Sequence, residues 1–139
     1  MKILKKCLSA LLVVIPVLAV ADTGEMMDKV TGIMLDKGLS ETSFKRHSRL
    51  KKGKTKTFTF HTVEDQEYVL VGLCDRDCDD LDLRVKHPTT GKTLYKDIDS
   101  SDKAIIKLPA LRDKYKVEVK MVKCSDSSGC YLRVNAFKL

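Results

Sequence analysis

The ten residues from Cys74 to Leu83 constrain the fold more than any other stretch of the chain. They hold two cysteines and five aspartates, and they directly follow the apolar run from Tyr68 to Leu73. After the second cysteine, Leu81-Asp-Leu83 alternates apolar and polar residues, which is typical of a strand with one buried face. The stretch therefore predicts a strand, an acidic turn closed by cysteines, and a second strand.

The first 21 residues predict a secretory signal peptide. Lys2, Lys5 and Lys6 precede an apolar run over residues 7–20, and Ala19-Val-Ala21 has the small-residue pattern of a cleavage site. A retained membrane anchor is the alternative, but the run is shorter than the roughly 20 apolar residues that a span needs. We expect a periplasmic or secreted mature chain from Asp22 onward, without a stable membrane span. Loss of the three lysines lowers the formal net charge from +7 to +4.

Four cysteines remain after residue 21, and an even number behind a signal peptide indicates disulfides. Three pairings are open, and we favour the local one, in which each bond closes a short polar loop. A four-cysteine zinc site is the alternative, but the wider second pair does not fit the usual C-x2–4-C spacing. The predicted disulfides are Cys74–Cys78 and Cys124–Cys130.

A helix is predicted for residues 22–41, with Gly38 as a natural stop. Its apolar stripe comprises Met26, Met27, Val30, Ile33, Met34 and Leu35. Such a stripe more often packs against the protein's own core than against a partner, and the partner-binding alternative is kept open.

From Thr42 onward the apolar period changes to two, which predicts strands. Seven or eight short strands, separated by turns every eight to twelve residues, favour an all-β antiparallel sandwich over residues 42–139. The clearest strands are predicted at residues 54–61, 67–74, 81–86, 93–98, 104–108, 115–122 and 131–137.

The order of several short motifs resembles the bacterial pre-peptidase C-terminal domain. These are Gly53-Lys-Thr-Lys-Thr-Phe-Thr-Phe60, Tyr68-Val-Leu-Val-Gly72, Asp80-Leu-Asp-Leu-Arg-Val85, Lys114-Tyr-Lys-Val-Glu-Val119 and Tyr131-Leu-Arg-Val134. The resemblance covers residues 50–137. The insertion Cys74-Asp-Arg-Asp-Cys78 is similar to that of small secreted bacterial proteins in which such a domain stands alone.

The resemblance implies a jelly-roll-like β-sandwich that binds a ligand and has no chemistry of its own. Two features depart from the family. Lys114 stands where glycine is usual, and no peptidase domain precedes the motifs. The family's usual setting, as an accessory to a secreted protease, is therefore not carried over.

The acidic turn is the best candidate for a metal site. Asp75, Asp77, Asp79 and Asp80 offer the hard oxygen ligands that calcium prefers. Some relatives of the resembled family bind calcium, although the spacing here is not that of an EF-hand. The alternative is a solvated turn whose aspartates accept hydrogen bonds from nearby backbone amides. Calcium is the one cofactor that the sequence suggests.

A basic run is the candidate for an anionic partner. It comprises Lys45, Arg46, Arg49, Lys51, Lys52, Lys54 and Lys56. Lipopolysaccharide or another anionic polymer of the envelope would complement this charge, whereas the lack of interleaved aromatic residues argues against specific nucleic-acid binding. The alternative is an edge strand that lysines protect from pairing with other chains.

Catalytic motifs are missing from the sequence. The three histidines at 47, 61 and 87 are scattered, and neither H-E-x-x-H nor G-x-S-x-G occurs. We therefore expect a non-enzymatic module that recognises a protein, a glycan or an envelope component. Two alternatives stay open: a periplasmic inhibitor or immunity protein against a toxin or hydrolase, and a secreted hydrolase with an unrecognised site.

Overall fold

The computed structural model describes residues 22–139, so the predicted signal peptide lies outside the described residues. One helix, α1 (Thr23–Asp36), precedes eight strands. The strands are β1 (Ser40–Leu50), β2 (Thr55–His61), β3 (Glu67–Cys74), β4 (Cys78–Lys86), β5 (Thr93–Asp97), β6 (Lys103–Pro109), β7 (Lys114–Cys124) and β8 (Cys130–Lys138).

The strands form two four-stranded sheets that pack face to face. The order is β1-β8-β3-β6 in one sheet and β2-β7-β4-β5 in the other, and every pairing is antiparallel. Most consecutive strands thus lie in different sheets, which is the arrangement of an eight-stranded jelly roll. The predicted fold class is confirmed. We call the first sheet the helix-covered sheet and the second the open sheet.

The core lies between the sheets and is built from inward-facing residues at every second position. Along β7, Tyr115, Val117, Val119 and Met121 are buried, while the positions between them are partly exposed. Phe60 packs between Phe44 and Tyr68, with ring centroids 4.6 and 5.1 Å away. These aromatic contacts connect β2 of the open sheet to β1 and β3 of the helix-covered sheet.

A second apolar cluster joins α1 to the outer face of the helix-covered sheet. Met27 of the helix is buried against Val71, Leu73 and Phe137. This explains why β3 is apolar on both faces, since one face meets the core and the other meets the helix. The helix packs on its own sandwich, which is the interpretation that the sequence favoured.

The helix is shorter than predicted, because it ends at Asp36 rather than at residue 41. Gly38, with φ of 90°, reverses the chain, and β1 begins at Ser40. Ile33 and Leu35, which were counted in the apolar stripe, are about half exposed. No helix in the described part of the chain has the length and apolarity to cross a membrane.

Candidate functional site

A cleft of about 400 Å³ lies at one end of the sandwich, where both cysteine-rich loops meet the start of α1. Residues 22–24 form one wall. The rest of the lining includes the side chains of Arg49, Asp75, Asp77, Asp126, Tyr131 and Arg133. Ligand sites commonly have volumes of about 300–1,000 Å³, so the cleft is large enough to receive a side chain or a small group of a partner.

The disulfides pair locally, as predicted, with bonds Cys74–Cys78 and Cys124–Cys130. The first connects the end of β3 to the start of β4, and the second connects the end of β7 to the start of β8. Each bond therefore also joins one sheet to the other, a consequence that the loop lengths alone did not indicate. Disulfides of this kind form and persist in periplasmic or extracellular compartments.

Asp75 fixes the first cysteine loop against β8. Its two carboxylate oxygens accept hydrogen bonds from the amides of Asp77 (3.2 Å) and Tyr131 (2.9 Å). Its own amide donates to the carbonyl of Tyr131 at 3.1 Å. The side chain thus behaves as the backbone-capping aspartate that was the alternative to a calcium ligand.

The second cysteine loop is fastened to the first. The amide and the hydroxyl of Ser125 donate to the carbonyl of Asp77, at 2.8 and 3.2 Å. Gly129 turns the loop with φ of 104°, and a Cβ there would lie 3.0 Å from the backbone of Leu50. Glycine is therefore needed both for its conformation and for the close approach to β1. The two loops form one rigid rim.

Arg49 and Tyr131 lie exposed beside this rim. The guanidinium carbon of Arg49 lies 4.7 Å from the centre of the Tyr131 ring, within the range of a cation–π contact. Arg49 also donates to the carbonyl of Gly129 at 3.4 Å and lies 3.7 Å from a carboxylate oxygen of Asp126. The tyrosine ring remains 52% exposed. These contacts hold an aromatic surface in a fixed orientation toward solvent.

The opposite wall is the N-terminus of α1. Asp22 caps the helix, because its carboxylate accepts a hydrogen bond from the amide of Glu25 at 2.7 Å. Arg133 of β8 lies against the first turn, so close that a Cβ on Gly24 would be 3.2 Å from its guanidinium. Its Nε is buried and has no hydrogen-bond partner among the described residues. This wall therefore combines a capped helix N-terminus with the guanidinium of Arg133.

The four predicted calcium ligands do not share one location. Asp75 and Asp77 line the cleft, Asp79 is exposed, and Asp80 is buried on β4 next to Asp82. Within residues 22–139, no group of three or more His, Cys, Asp or Glu side chains has an arrangement that could hold a metal ion. Calcium binding stays a prediction.

Asp82 is the one described residue whose carboxyl has a clearly shifted pKa. Burial raises the pKa above 3.8, and the nearby Asp80 raises it further by repulsion and by a hydrogen bond. Arg84 and Lys120 oppose the shift. One oxygen of each of the two aspartates is buried without a partner among the described residues. The pair lies on the open sheet and not in the cleft.

The predicted basic run is divided among several places. Arg49 reaches the cleft, Lys45 pairs with Glu41 at 2.9 Å, and Arg46 lies 4.7 Å from the ring centre of Phe44. The remaining lysines occupy the β1–β2 turn and the edge strand β2; they are Lys51, Lys52, Lys54 and Lys56. Binding of an anionic partner by this run stays a prediction, while its position on two edge strands agrees with the protective alternative.

Tyr131, Arg133 and Asp126 were missed as site residues. The sequence held one signal for the first two, because they are alternate polar positions in a strand that begins at Cys130. Among residues 22–139, no histidine lines the cleft. The Nδ1 atom of His87 accepts hydrogen bonds from the amides of Thr89 and Thr90, which is a turn-stabilising role.

No family model matches the sequence, and no curated protein matches it. Among solved structures, the chain is similar to the pre-peptidase C-terminal domain of a collagenase from Bacillus anthracis. The identity is 13%, the TM-score is 0.53, and the match covers 70% of this chain and 89% of that domain. The sandwich has the pre-peptidase C-terminal fold. The resemblance found in the sequence motifs is thus confirmed at the level of the fold.

A further similar structure is PliG from Aeromonas hydrophila, a periplasmic inhibitor of g-type lysozyme. It is 16% identical to this chain with a TM-score of 0.45, and the match covers 72% of this chain and 89% of PliG.

Proposed function

We propose that this protein is a non-catalytic recognition module of the periplasm or the cell exterior, and that it binds a protein partner through the cleft. The observation that carries the proposal is the rigid rim of the two disulfide loops, which presents the exposed ring of Tyr131 with the guanidinium of Arg49 against it. A rim that is already ordered loses little conformational entropy when a partner binds.

The residue types of the rim favour a protein partner. Tyrosine and arginine are enriched among the few residues that carry most of the binding energy at protein interfaces. The charges are mixed, because Arg49 and Arg133 stand beside Asp77 and Asp126. Mixed charges give an interface specificity for a partner of complementary pattern. A glycan or another envelope component, stacked on the tyrosine ring, is the alternative ligand for the same cleft.

The chemistry of the cleft supports a binding role over a hydrolytic one. Both carboxylate oxygens of Asp75 accept hydrogen bonds from backbone amides, and a carboxylate oxygen of Asp126 accepts a hydrogen bond from the amide of Ser128 at 2.8 Å. With no histidine in its lining, the cleft lacks the usual general base for a serine nucleophile. If the partner is itself a hydrolase, the module would act as an inhibitor.

Site-specific photo-crosslinking tests the proposal in the cells that produce the protein. A photoreactive benzoylphenylalanine replaces Tyr131 in one variant and Ile105 in a control variant. The two residues have nearly equal exposure, 52% and 51%, but Ile105 lies on β6 away from the cleft. We expect a discrete protein adduct from position 131 only, which mass spectrometry then identifies.

Purified components complete the test. Tyr131→Ala should weaken binding of the identified partner by about tenfold or more, which is the effect expected for an interface hot spot. Equal adducts from both positions, or an affinity that Tyr131→Ala leaves unchanged, would contradict the proposed site. Hydrolysis of peptide, ester or peptidoglycan substrates that a single His→Ala substitution abolishes would contradict the non-catalytic role.

A further inference from the structure

The outer face of the open sheet is a second surface with a marked charge. Because inward and outward side chains alternate along β7 and β4, one set of residues from these two central strands points away from the core. Lys96 of β5 lies opposite Arg84 and shares this face. The cationic residues of the face are Arg84, Lys86, Lys96, Lys114, Lys116 and Lys120.

Three carboxyl side chains accompany these six cations, namely Asp80, Asp82 and Glu118. The face therefore has a formal charge of 6 − 3 = +3. The residues after position 21 have a net charge of 7 − 3 = +4, after the three lysines of residues 1–21 are subtracted. A surface formed by one side of one sheet thus has most of the net charge of the described chain.

Much of the cationic charge on this face is not neutralised. Glu118 is engaged by Lys86 at 2.8 Å and by Arg84 at 4.0 Å, and Arg84 also lies 3.9 Å from Asp82. The ammonium groups of the other four cations form no ion pair with any residue in the range 22–139; these are Lys96, Lys114, Lys116 and Lys120. Lys96, Lys114 and Lys116 remain available to an anion from outside, whereas Lys120 lies opposite Asp82 and also attracts that carboxyl group.

The placement of these charges differs from that of a protected sheet edge. Lysines that prevent aggregation belong on edge strands, but here five of the six cations lie on the two central strands β7 and β4, and only Lys96 lies on an edge strand, β5. Lys116 also lies directly opposite Lys86, and like charges at opposed positions destabilise a sheet. Two other opposed pairs on this face, Asp82 with Lys120 and Arg84 with Glu118, are of opposite sign, so Lys86 and Lys116 are the pair that folding alone does not favour.

The edge strand β2 adds a column of hydroxyl groups. Thr55, Thr57 and Thr59 lie opposite Lys120, Glu118 and Lys116, and are on the same face. The Lys116 ammonium group donates to the Thr59 hydroxyl at 2.8 Å. A hydroxyl both donates and accepts hydrogen bonds, as the hydroxyl groups of a sugar do. The face thus combines an array of cations with an adjacent array of sugar-compatible groups.

We propose that the outer face of the open sheet binds an extended anionic polysaccharide. The lysines and Arg84 contact its acidic groups, and the threonines contact its hydroxyl groups. Single-stranded nucleic acid fits less well, because the outward positions of β2, β7 and β4 within the described chain present one ring, that of His61 at the end of β2, and no row of rings on which successive bases could stack. This surface is separate from the cleft, so the inference does not depend on the proposed protein partner.

Isothermal titration of the full-length expression product, with its disulfides formed, tests the inference. Polygalacturonate supplies carboxylates, dextran sulfate supplies sulfates, and neutral dextran is the uncharged control. Polyuridylate and vesicles of anionic phospholipid represent the competing ligand classes. We expect binding of at least one acidic polysaccharide at about 50 mM NaCl and weaker binding at about 200 mM, because counterions compete for the same lysines.

Matched charge variants distinguish this face from net charge. Lys116→Gln with Lys120→Gln should weaken binding about thirtyfold, since each of the two cations contributes about 1 kcal/mol near a charged surface and about 1.4 kcal/mol corresponds to tenfold. Lys29→Gln with Lys107→Gln removes the same charge from exposed positions of α1 and β6, and should change the affinity less than about twofold. Thr57→Ala should weaken polysaccharide binding without altering its salt dependence.

Three results would overturn the inference. The first is that neither acidic polysaccharide binds. The second is that both double variants weaken binding equally, which would show that net charge alone is responsible. The third is that polyuridylate or the vesicles bind more tightly than the polysaccharides do. Tyr131→Ala should leave polysaccharide binding intact, which keeps failure of this inference distinguishable from failure of the cleft proposal.

Discussion

The two outer faces of the sandwich have opposite characters. On the helix-covered sheet, Val71, Leu73 and Phe137 are apolar and are buried by α1. On the open sheet, the corresponding face is formed by threonines, lysines, Arg84 and three carboxyl side chains, and α1 does not cover it. The same backbone architecture therefore supports one face that stabilises the fold and one that is free to bind. The inner faces of both sheets are buried in the core, so the two sheets differ in the polarity and burial of their outer faces.

The comparison predicts a large difference in what each face contributes to stability. Phe137→Ala should reduce the free energy of unfolding by about 3–5 kcal/mol, because it removes a fully buried ring and leaves a cavity beneath the helix. Thr57→Ala on the exposed face of the open sheet should change it by less than about 0.5 kcal/mol. Urea denaturation followed by circular dichroism measures both.

The pair of variants also tests whether α1 belongs to the folded core. If the helix were only loosely attached, Phe137→Ala would cost little more than Thr57→Ala. In that case the apolar outer face would be a partner surface instead, as the alternative interpretation of the methionine stripe holds. The control is the slope of the unfolding free energy against urea concentration. If this slope is the same in both variants as in the wild type, the unfolding transition itself is unchanged.

The fold was predictable because its signals are periodic. Strict alternation from Tyr115 to Met121 and in Leu81-Asp-Leu83 defined strands with one buried face, and the apolar run from Tyr68 to Leu73 defined the strand between the helix and the core. The end of the helix was less predictable, because a stripe continues in sequence beyond the residue at which the chain turns. Leu35 fits the period and is nevertheless half exposed.

The cleft was only partly predictable, because its residues come from distant parts of the chain. Asp75 and Asp77 were singled out by their local density, and Arg49 by its basic neighbours. Tyr131 was not, since a lone tyrosine in a strand has no distinguishing pattern. Its role depends on the pairing of β8 with β1, which brings Tyr131 opposite Arg49. Such a pairing is a property of the topology and not of any short motif.

The disulfides connect the two sheets at the cleft end and should have a moderate effect. Replacing Cys74 and Cys78 with alanine, or Cys124 and Cys130, should lower the free energy of unfolding by about 2 kcal/mol per bond, as expected for loops this short. The first replacement frees the loop that contains Asp75 and should also weaken binding in the cleft. Binding on the open sheet should be unaffected.

Tryptic mapping without reduction provides the direct check of the connectivity. It should recover Cys74 bonded to Cys78 and Cys124 bonded to Cys130. A bond between the two loops would contradict the local pairing, and a loss of polysaccharide binding in either cysteine variant would show that the two binding surfaces are not independent.

The smallest expected effect concerns the neighbouring carboxyl groups of Asp80 and Asp82 on β4, of which Asp80 is buried and Asp82 is partly buried. Asp82 has a raised pKa in the folded state, first because of burial and then because of Asp80, while Arg84 and Lys120 oppose the shift. A carboxyl whose folded pKa exceeds its unfolded value of 3.8 contributes its full stability below that value. The contribution is lost as the pH rises through the folded pKa.

Asp82→Asn imitates the protonated carboxyl at every pH, and its amide can donate to the unpartnered oxygen of Asp80. The variant should therefore be more stable than the wild type at about pH 7, and the difference should shrink at about pH 3.5, where both states of Asp82 are largely protonated. Urea midpoints at the two pH values measure this. Asp28→Asn, on the exposed side of α1, removes the same charge and is the control. An equal gain of stability in both variants would assign the effect to net charge. A loss of stability at pH 7 in Asp82→Asn would show that the attraction of Arg84 and Lys120 for the Asp82 carboxylate outweighs the cost of its burial.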